Sequence, residues 1–328
     1  MIRRHLALAL GLVLIAFLIG VLLGAELMSP LAWFASVTDG DDPLGQLILH
    51  WRLPRVLAAF CVGACLAMAG VVFQGIFRNP LAEPYLLGSA AGASVGAAIA
   101  LLSPLFSAWS LSLPALAFAG AWGATWLVVV LARLTGVRSG TSLILAGVAI
   151  AALLSALRSL LMLVMSDDTV NLQSVLSWTL GGIQTPHWWE LGVLIPLTLL
   201  SLILCLRLAR GLDLLGLGED MADSLGLDVD RFMHRGVLLA AGITAIAVVW
   251  GGLIGFVGLV IPHMVRWWIG ARHASLALFS ALGGGALLMV FDGLSRSLLP
   301  PAEIPLGLLT VMIGVPFFLF VLVRQGRP

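Results

Sequence analysis

The sequence predicts an all-α integral membrane protein with about ten transmembrane helices. Of its 328 residues, 61% are hydrophobic and only 10% are charged, and the mean hydropathy is +1.11. Soluble domains carry about 25% charged residues, so lipid must be the solvent for most of this surface. Long apolar runs follow one another along the chain, and no polar stretch is long enough to form a soluble domain. We therefore predict a single membrane domain over residues 1–328.

The apolar runs account for the predicted helices one by one, because a membrane span needs about 20 apolar residues. They lie at 6–28, 56–77, 85–103, 113–132, 141–165, 190–208, 235–254, 256–269, 274–298 and 306–323. The eighth run is too short to cross comfortably. The first run resembles a signal peptide. Its length favours an uncleaved span, and so does Leu23, which stands where a small residue should precede cleavage at Ala25.

The distribution of arginine predicts the orientation, because cytoplasmic loops of membrane proteins are enriched in basic residues. All 17 basic residues are arginine. With the N-terminus inside, 13 of these 17 lie on the cytoplasmic side, Arg158 lies within the fifth run, and only Arg52, Arg55 and Arg296 lie outside. Both termini are therefore predicted to be cytoplasmic, and the three outer arginines call for an explanation.

Composition also bounds the function. A Walker-type P-loop requires a lysine on the phosphates, and this chain has none, so any ATP that drives it must be hydrolysed by a partner. A net charge of +1 without an arginine-rich run disfavours nucleic-acid binding. Cys61 and Cys65, four residues apart, and the isolated His187 and His263 give no metal-ligand pattern, so we predict no metal site.

A polar segment at 211–230 interrupts the cytoplasmic side. Glu219 and Asp220 suit the start of a short helix, Gly226 suits its end, and Met221 and Leu225 would share one face. The pattern alone fits an ordinary interfacial loop and a lever that docks in a groove of a partner equally well. Two proline-rich turns also stand out, at 77–84 on the inner side and at 299–307 on the outer side, and the second is expected to hold Arg296 and Glu303 at the surface.

Taken together, these segments resemble those of the permeases of bacterial ABC importers for iron siderophores, haem and cobalamin, which are type II importers. Three groups of blocks carry the resemblance, from about residue 45 to the end. They are 52–55 with 78–84; 215–219 with 222–226; and 255–263 with Arg266, 301–307 and 314–318. No single block is decisive, but their order and spacing together are specific.

The resemblance implies ten spans per subunit in the inner membrane, a homodimer with a central pathway, two ATPase subunits inside and a periplasmic binding protein outside. ATP and Mg²⁺ would bind the ATPase, and this chain would need no cofactor. Residues 212–226 would be coupling helices, with contacts to the ATPase from Leu215, Gly216, Gly218, Glu219, Ala222, Leu225 and Gly226. Arg52, Arg55 and Arg296 match positions that take carboxylates of the binding protein; the alternative is that Arg52 and Arg55 reach lipid headgroups. Cytoplasmic gates would lie at Thr141 with Ser142 and at Asn79 with Leu81.

The expected cargo is an iron chelate, either a ferric siderophore or haem, with cobalamin as the alternative. Arg158 is the candidate pathway charge, because an arginine inside a span usually faces water or a partner. It would favour an anionic cargo if it faces the axis, but it could instead pair with Asp292 or reach Asp167 and Asp168. An ion-coupled secondary transporter is a competing function, for which Asp292 is the best candidate acid. A membrane scaffold without transport would not need both the cytoplasmic lever and the outer arginines.

Overall fold

The computed structural model describes residues 2–24, 43–106, 109, 111–134, 140–165 and 169–325, and every regular element within these residues is helical. The elements are α1 (Ile2–Leu22), α2 (Pro43–Leu47), a π-helical turn (Ile48–Arg52), α3 (Leu53–Ile76), α4 (Ser89–Leu102), α5 (Ser112–Leu134), α6 (Gly140–Met165), α7 (Thr169–Thr179), α8 (Trp188–Leu215), α9 (Glu219–Ser224), α10 (Val229–Gly251), α11 (Val257–Ile269), α12 (His273–Ser297) and α13 (Leu306–Gln325).

A helix stands at each of the ten predicted apolar runs. Seven are long and apolar enough to cross a membrane, and three shorter apolar helices occupy 89–102, 257–269 and 306–320. The eighth run is indeed short, since α11 has only 13 residues. The second run begins earlier than predicted, because helical backbone continues from residue 43 through the π-helical turn into α3. Arg52 and Arg55 therefore lie in helical backbone and not in a loop.

Helix α3 forms the centre of the bundle and packs against α8, α10, α11 and α12. Twenty of its residues are buried, among them Phe73 and Met68. The helix backbones approach closely at glycines: a Cβ on Gly63 would lie 2.1 Å from the carbonyl oxygen of Gly284 on α12. Small residues at such crossings are what allows helices without an aqueous driving force to pack tightly.

A second layer is formed by α4, α5 and α6, where a Cβ on Gly92 would lie 2.1 Å from the carbonyl oxygen of Gly120. Helix α6 is the least covered of the long helices described, and Leu145, Leu153 and Leu163 on it are 64–80% exposed. Helix α13 also exposes apolar side chains, including Met312. These two helices offer apolar surface that lipid or another subunit must cover.

Candidate functional site

A four-residue charge cluster occupies one end of the bundle, which we call the outer cluster: Arg55, Asp292, Glu303 and Arg296. Asp292 is fully buried and accepts from Arg55 Nε at 2.9 Å and from Arg296 Nε at 3.0 Å. The two outer nitrogens of Arg55 donate to Glu303, at 3.1 Å and 2.7 Å, while half of the Glu303 side chain remains exposed. Two arginines and two carboxylates balance, which is the condition for keeping such charges inside a bundle.

The expectation that the turn at 299–307 holds Arg296 at the surface was wrong. Arg296 is 8% exposed, lies in the last turn of α12, and donates through Nη2 to the carbonyl oxygen of Gly20 at 2.7 Å. Arg52 is equally buried, and its Nη1 donates to the carbonyl oxygen of Val21 at 3.2 Å. Both arginines bind the last turn of α1, where helix carbonyls lack intrahelical donors. Their docking role stays a prediction, and of the three outer arginines Arg55 is the most exposed, with its pair Glu303 half exposed.

A polar cavity of about 700 Å³ opens beside the outer cluster. Its lining includes Arg55 and Glu303, and its other polar side chains are Gln173, Ser174, Ser177, Gln184, Thr185 and Ser295. The chain segment at 181–185 is fixed in place by backbone hydrogen bonds, with Gly182 N donating to Gly251 O at 2.9 Å and Leu306 N donating to Gly181 O. The cavity is thus built on backbone that is tied to α10 and α13, and it is large enough to admit a small molecule or a protein side chain.

The segment at 212–226 lies at the opposite end of the bundle and contains the expected short helix. Leu212 and Leu215 anchor the end of α8 in the core, and Ala222 is the buried residue of α9. The helix ends in a Schellman motif, in which Gly226 N donates to Asp223 O at 2.8 Å and Leu227 N to Ala222 O at 3.0 Å. Gly226 takes φ +87°, the left-handed conformation that this motif requires.

Three large apolar side chains in and beside α9, which we call the apolar rim of α9, point away from the bundle. They are Leu217, Met221 and Leu225, each more than half exposed. Met221 and Leu225 were the predicted apolar pair. The segment therefore has a fixed, buried base and an apolar outer surface, which is the form expected of a helix that docks in a groove. Glu219 adds an ion pair to Arg78, at the start of the loop between α3 and α4.

That ion pair joins α9 to the predicted inner gate. Asn79 follows Arg78 directly, and its Oδ1 accepts from Leu81 N at 2.9 Å, which fixes the turn. Further along the loop, Glu83 Oε1 accepts from Phe256 N at 2.7 Å, and burial raises the pKa of this carboxyl. The loop is thus held to α9 at one end and to the start of α11 at the other.

The remaining predicted residues lie on α6. Thr141 and Ser142 are in its first turn, but their side chains are outside the described part of the chain, so this gate stays a prediction. The Nε atom of Arg158 is buried and has no hydrogen-bond partner among the described residues. Asp292 forms ion pairs with Arg55 and Arg296, so the alternative in which Arg158 pairs with Asp292 was wrong. Asp167 and Asp168 fall outside the described residues.

Sequence reasoning missed two parts of the outer site. Helix α7 was not predicted, because Thr, Asn, Gln and Ser interrupt its apolar pattern. The pairing of Arg55 with Glu303 was also missed, since 248 positions separate them. One signal was available: Asp292 and Arg296 stand four residues apart on one helix, a spacing that favours an ion pair.

Comparison with known proteins matches this chain to the FecCD transport family over residues 12–324. It is 41% identical to the Fe(3+) dicitrate transport system permease protein FecD of Escherichia coli K12, covering 95% of this chain and 98% of that protein. It is also 41% identical to the hemin transport system permease protein HmuU of Yersinia pestis, covering 88% and 86% respectively. A solved inward-facing structure of a metal-chelate type ABC transporter shares 34% identity, covers 99% of this chain and all of that chain, and superposes with a TM-score of 0.84.

Proposed function

Because this chain belongs to the FecCD transport family of ABC importer permeases, we propose that it imports an iron chelate, either a ferric siderophore or haem. The observation that carries this choice of cargo is the 41% identity, over nearly the whole of both chains, to a permease named for iron dicitrate. The chain is a permease subunit of the bacterial inner membrane and not an enzyme, and a separate subunit hydrolyses ATP.

Uptake of labelled cargo tests this proposal. Cells that lack the chain, with and without a restored copy, would be compared on radio-iron siderophores, haem and labelled cobalamin. Loss and rescue of one iron chelate supports the proposal. Loss and rescue of cobalamin uptake alone would replace the cargo and leave the transport class in place.

The assembly we propose is a homodimer with ten spans per subunit, both termini in the cytoplasm and the pathway on the two-fold axis. The exposed apolar faces of α6 and α13 support it, since a second subunit would cover them. The structure groups the polar segments at two opposite ends of α3, with Arg55 near one end and Arg78 just past the other. The excess of arginine assigns the Arg78 end to the cytoplasm.

Coupling to the ATPase is proposed to occur through residues 212–226. The apolar rim of α9 would enter a groove of the ATPase, with the acidic Glu219 and Asp220 at its start. A movement of α9 would reach the inner gate through the ion pair of Glu219 with Arg78, which directly precedes Asn79. The buried base at Leu212 and Leu215 gives the segment a fixed pivot.

Docking of a periplasmic binding protein is proposed to occur at the outer cluster. Arg55 already holds a carboxylate, that of Glu303, through both of its outer nitrogens. A carboxylate of the binding protein would take the place of Glu303, because the two anions require the same planar fork. In the single subunit Arg52 and Arg296 fix the end of α1, so Arg55 would carry most of the docking.

A further inference from the structure

We propose that the groove between α1, α11, α12 and α13 is a binding site for an anionic phospholipid of the cytoplasmic leaflet. The proposal rests on the orientation given under the proposed function and not on the cargo. The groove has a volume of about 790 Å³, and its lining is almost entirely apolar. Its walls include Ile15, Met264, Gly283, Ile313 and Phe317.

The length of the groove matches one leaflet. Its lining on α1 runs from Ala9 to Ile19 and on α12 from Phe279 to Phe291. At 1.5 Å per residue these stretches are about 15 and 18 Å long. Half of a hydrocarbon core of about 30 Å is about 15 Å, the depth that one acyl chain fills. An apolar groove inside the membrane that is not filled by protein is filled by lipid chains, because water finds no polar partner there.

The position of the groove selects the inner leaflet. At its cytoplasmic end Trp268 packs edge-on against Phe279, with ring centroids 5.7 Å apart, and against His5, at 5.3 Å. Aromatic rings of this kind mark the headgroup level.

The charge at the cytoplasmic end selects an anionic headgroup. Arg3 and Arg4 are exposed and stand five or six residues before Ala9, about 8 Å beyond the apolar lining. Arg272, also exposed, precedes Phe279 by seven residues and so stands near the same face of α12. Basic groups that flank a groove between transmembrane helices on the cytoplasmic side bind the phosphates of anionic lipids. Phosphatidylglycerol is expected to bind more tightly than phosphatidylethanolamine by about fivefold for each arginine in contact.

The test is native mass spectrometry of the full-length protein released from micelles with added phosphatidylglycerol or phosphatidylethanolamine. Gly283→Leu is the filling variant, since a Cβ there would lie at an ordinary 3.4 Å from the nearest atom, a methyl carbon of Ile261, and the rest of the leucine would occupy the groove. Gly11→Leu is the matched control, because nothing lies within 4 Å of a Cβ at that exposed position of α1. Arg272→Gln tests the headgroup without altering the N-terminal arginines.

The expected result is retained phosphatidylglycerol in the wild type and in Gly11→Leu, at least about tenfold less in Gly283→Leu, and a reduced preference for phosphatidylglycerol in Arg272→Gln. Equal lipid retention in Gly283→Leu and wild type would overturn the site. Equal binding of the two lipids by the wild type would overturn the headgroup assignment. A change from dimer to monomer in Gly283→Leu, read from the same spectra, would show that a second copy covers the groove and would also overturn the proposal. None of these readings depends on transport, so they are independent of the cargo experiment.

Discussion

Removing the charge of Asp292 should destabilise the protein more than any other single change in the outer cluster. Asp292 is fully buried between Arg55 and Arg296, which are themselves nearly buried. Asp292→Asn leaves two arginines facing one carboxylate, that of Glu303. Breaking a buried ion pair by removing one partner costs about 3–5 kcal/mol, because the remaining charge is left uncompensated. At roughly 2 °C per kcal/mol for a chain of this size, the melting temperature should fall by roughly 6–10 °C.

The double variant Asp292→Asn with Arg296→Gln separates the effect of the unbalanced charge from the effect of the lost hydrogen bonds. It restores neutrality with Arg55 and Glu303, so we expect it to recover much of the loss despite removing a second hydrogen-bonding side chain. The melting temperature can be followed in detergent with a thiol-reactive dye, since Cys61, Cys65 and Cys205 are all buried and free. Glu303→Gln is the control, because its half-exposed pair with Arg55 should contribute less than about 1 kcal/mol. A double variant that melts below Asp292→Asn would refute the explanation by charge balance.

Four further predictions concern the inner side and the pathway. Arg78→Glu and Glu219→Arg should each reduce uptake, and the swapped pair should recover part of it; no recovery would show that the ion pair transmits nothing. Glu83→Ala should lower stability by about 1–3 kcal/mol by leaving Phe256 N without an acceptor, whereas Glu83→Gln should not. Because burial raises the pKa of Glu83, the folded wild type should gain stability as the pH falls through that pKa towards the ordinary range of a glutamate, and the melting of Glu83→Gln should lack this gain. Arg158→Gln should reduce uptake of an anionic chelate, and unchanged uptake would exclude Arg158 as a pathway charge.

The helices could be predicted from the sequence because the membrane imposes a strong one-dimensional signal. An apolar run of sufficient length must become a helix, since its backbone groups have no other partners in lipid. This logic located all ten apolar helices, including the short α11. It failed for α7, whose polar side chains line the outer cavity and need no apolar run. It also placed the start of the second run too late, because helical backbone extends beyond the apolar stretch through Arg52.

The side-chain partners could not be predicted in the same way. A count of arginines gives the side of the membrane but not the direction in which each guanidinium turns. Arg296 was predicted to lie at the surface and Arg52 on the outer side, yet both side chains turn inward and donate to carbonyls at the end of α1. Asp292 was considered as a partner for Arg158 and as an acid for ion coupling. Its actual partners are Arg55 and Arg296, which satisfy its charge and remove the main support for an ion-coupled mechanism.

Helix α3 connects the two ends at which partners are proposed to bind. Arg55 lies in its first turn and Arg78 two residues after its end, about 35 Å apart along the axis. Between them the helix is buried on nearly every side, and at Gly63 its backbone packs closely against the backbone of α12. A packed helix of this kind moves as a unit. The proposed exchange of the carboxylate on Arg55 and the proposed movement of α9 against Arg78 would therefore act on the same helix. Energetic coupling between two binding sites is reciprocal. Binding of the outer partner should therefore change the affinity of this protein for the ATPase by a certain factor, and binding of the ATPase should change its affinity for the outer partner by the same factor.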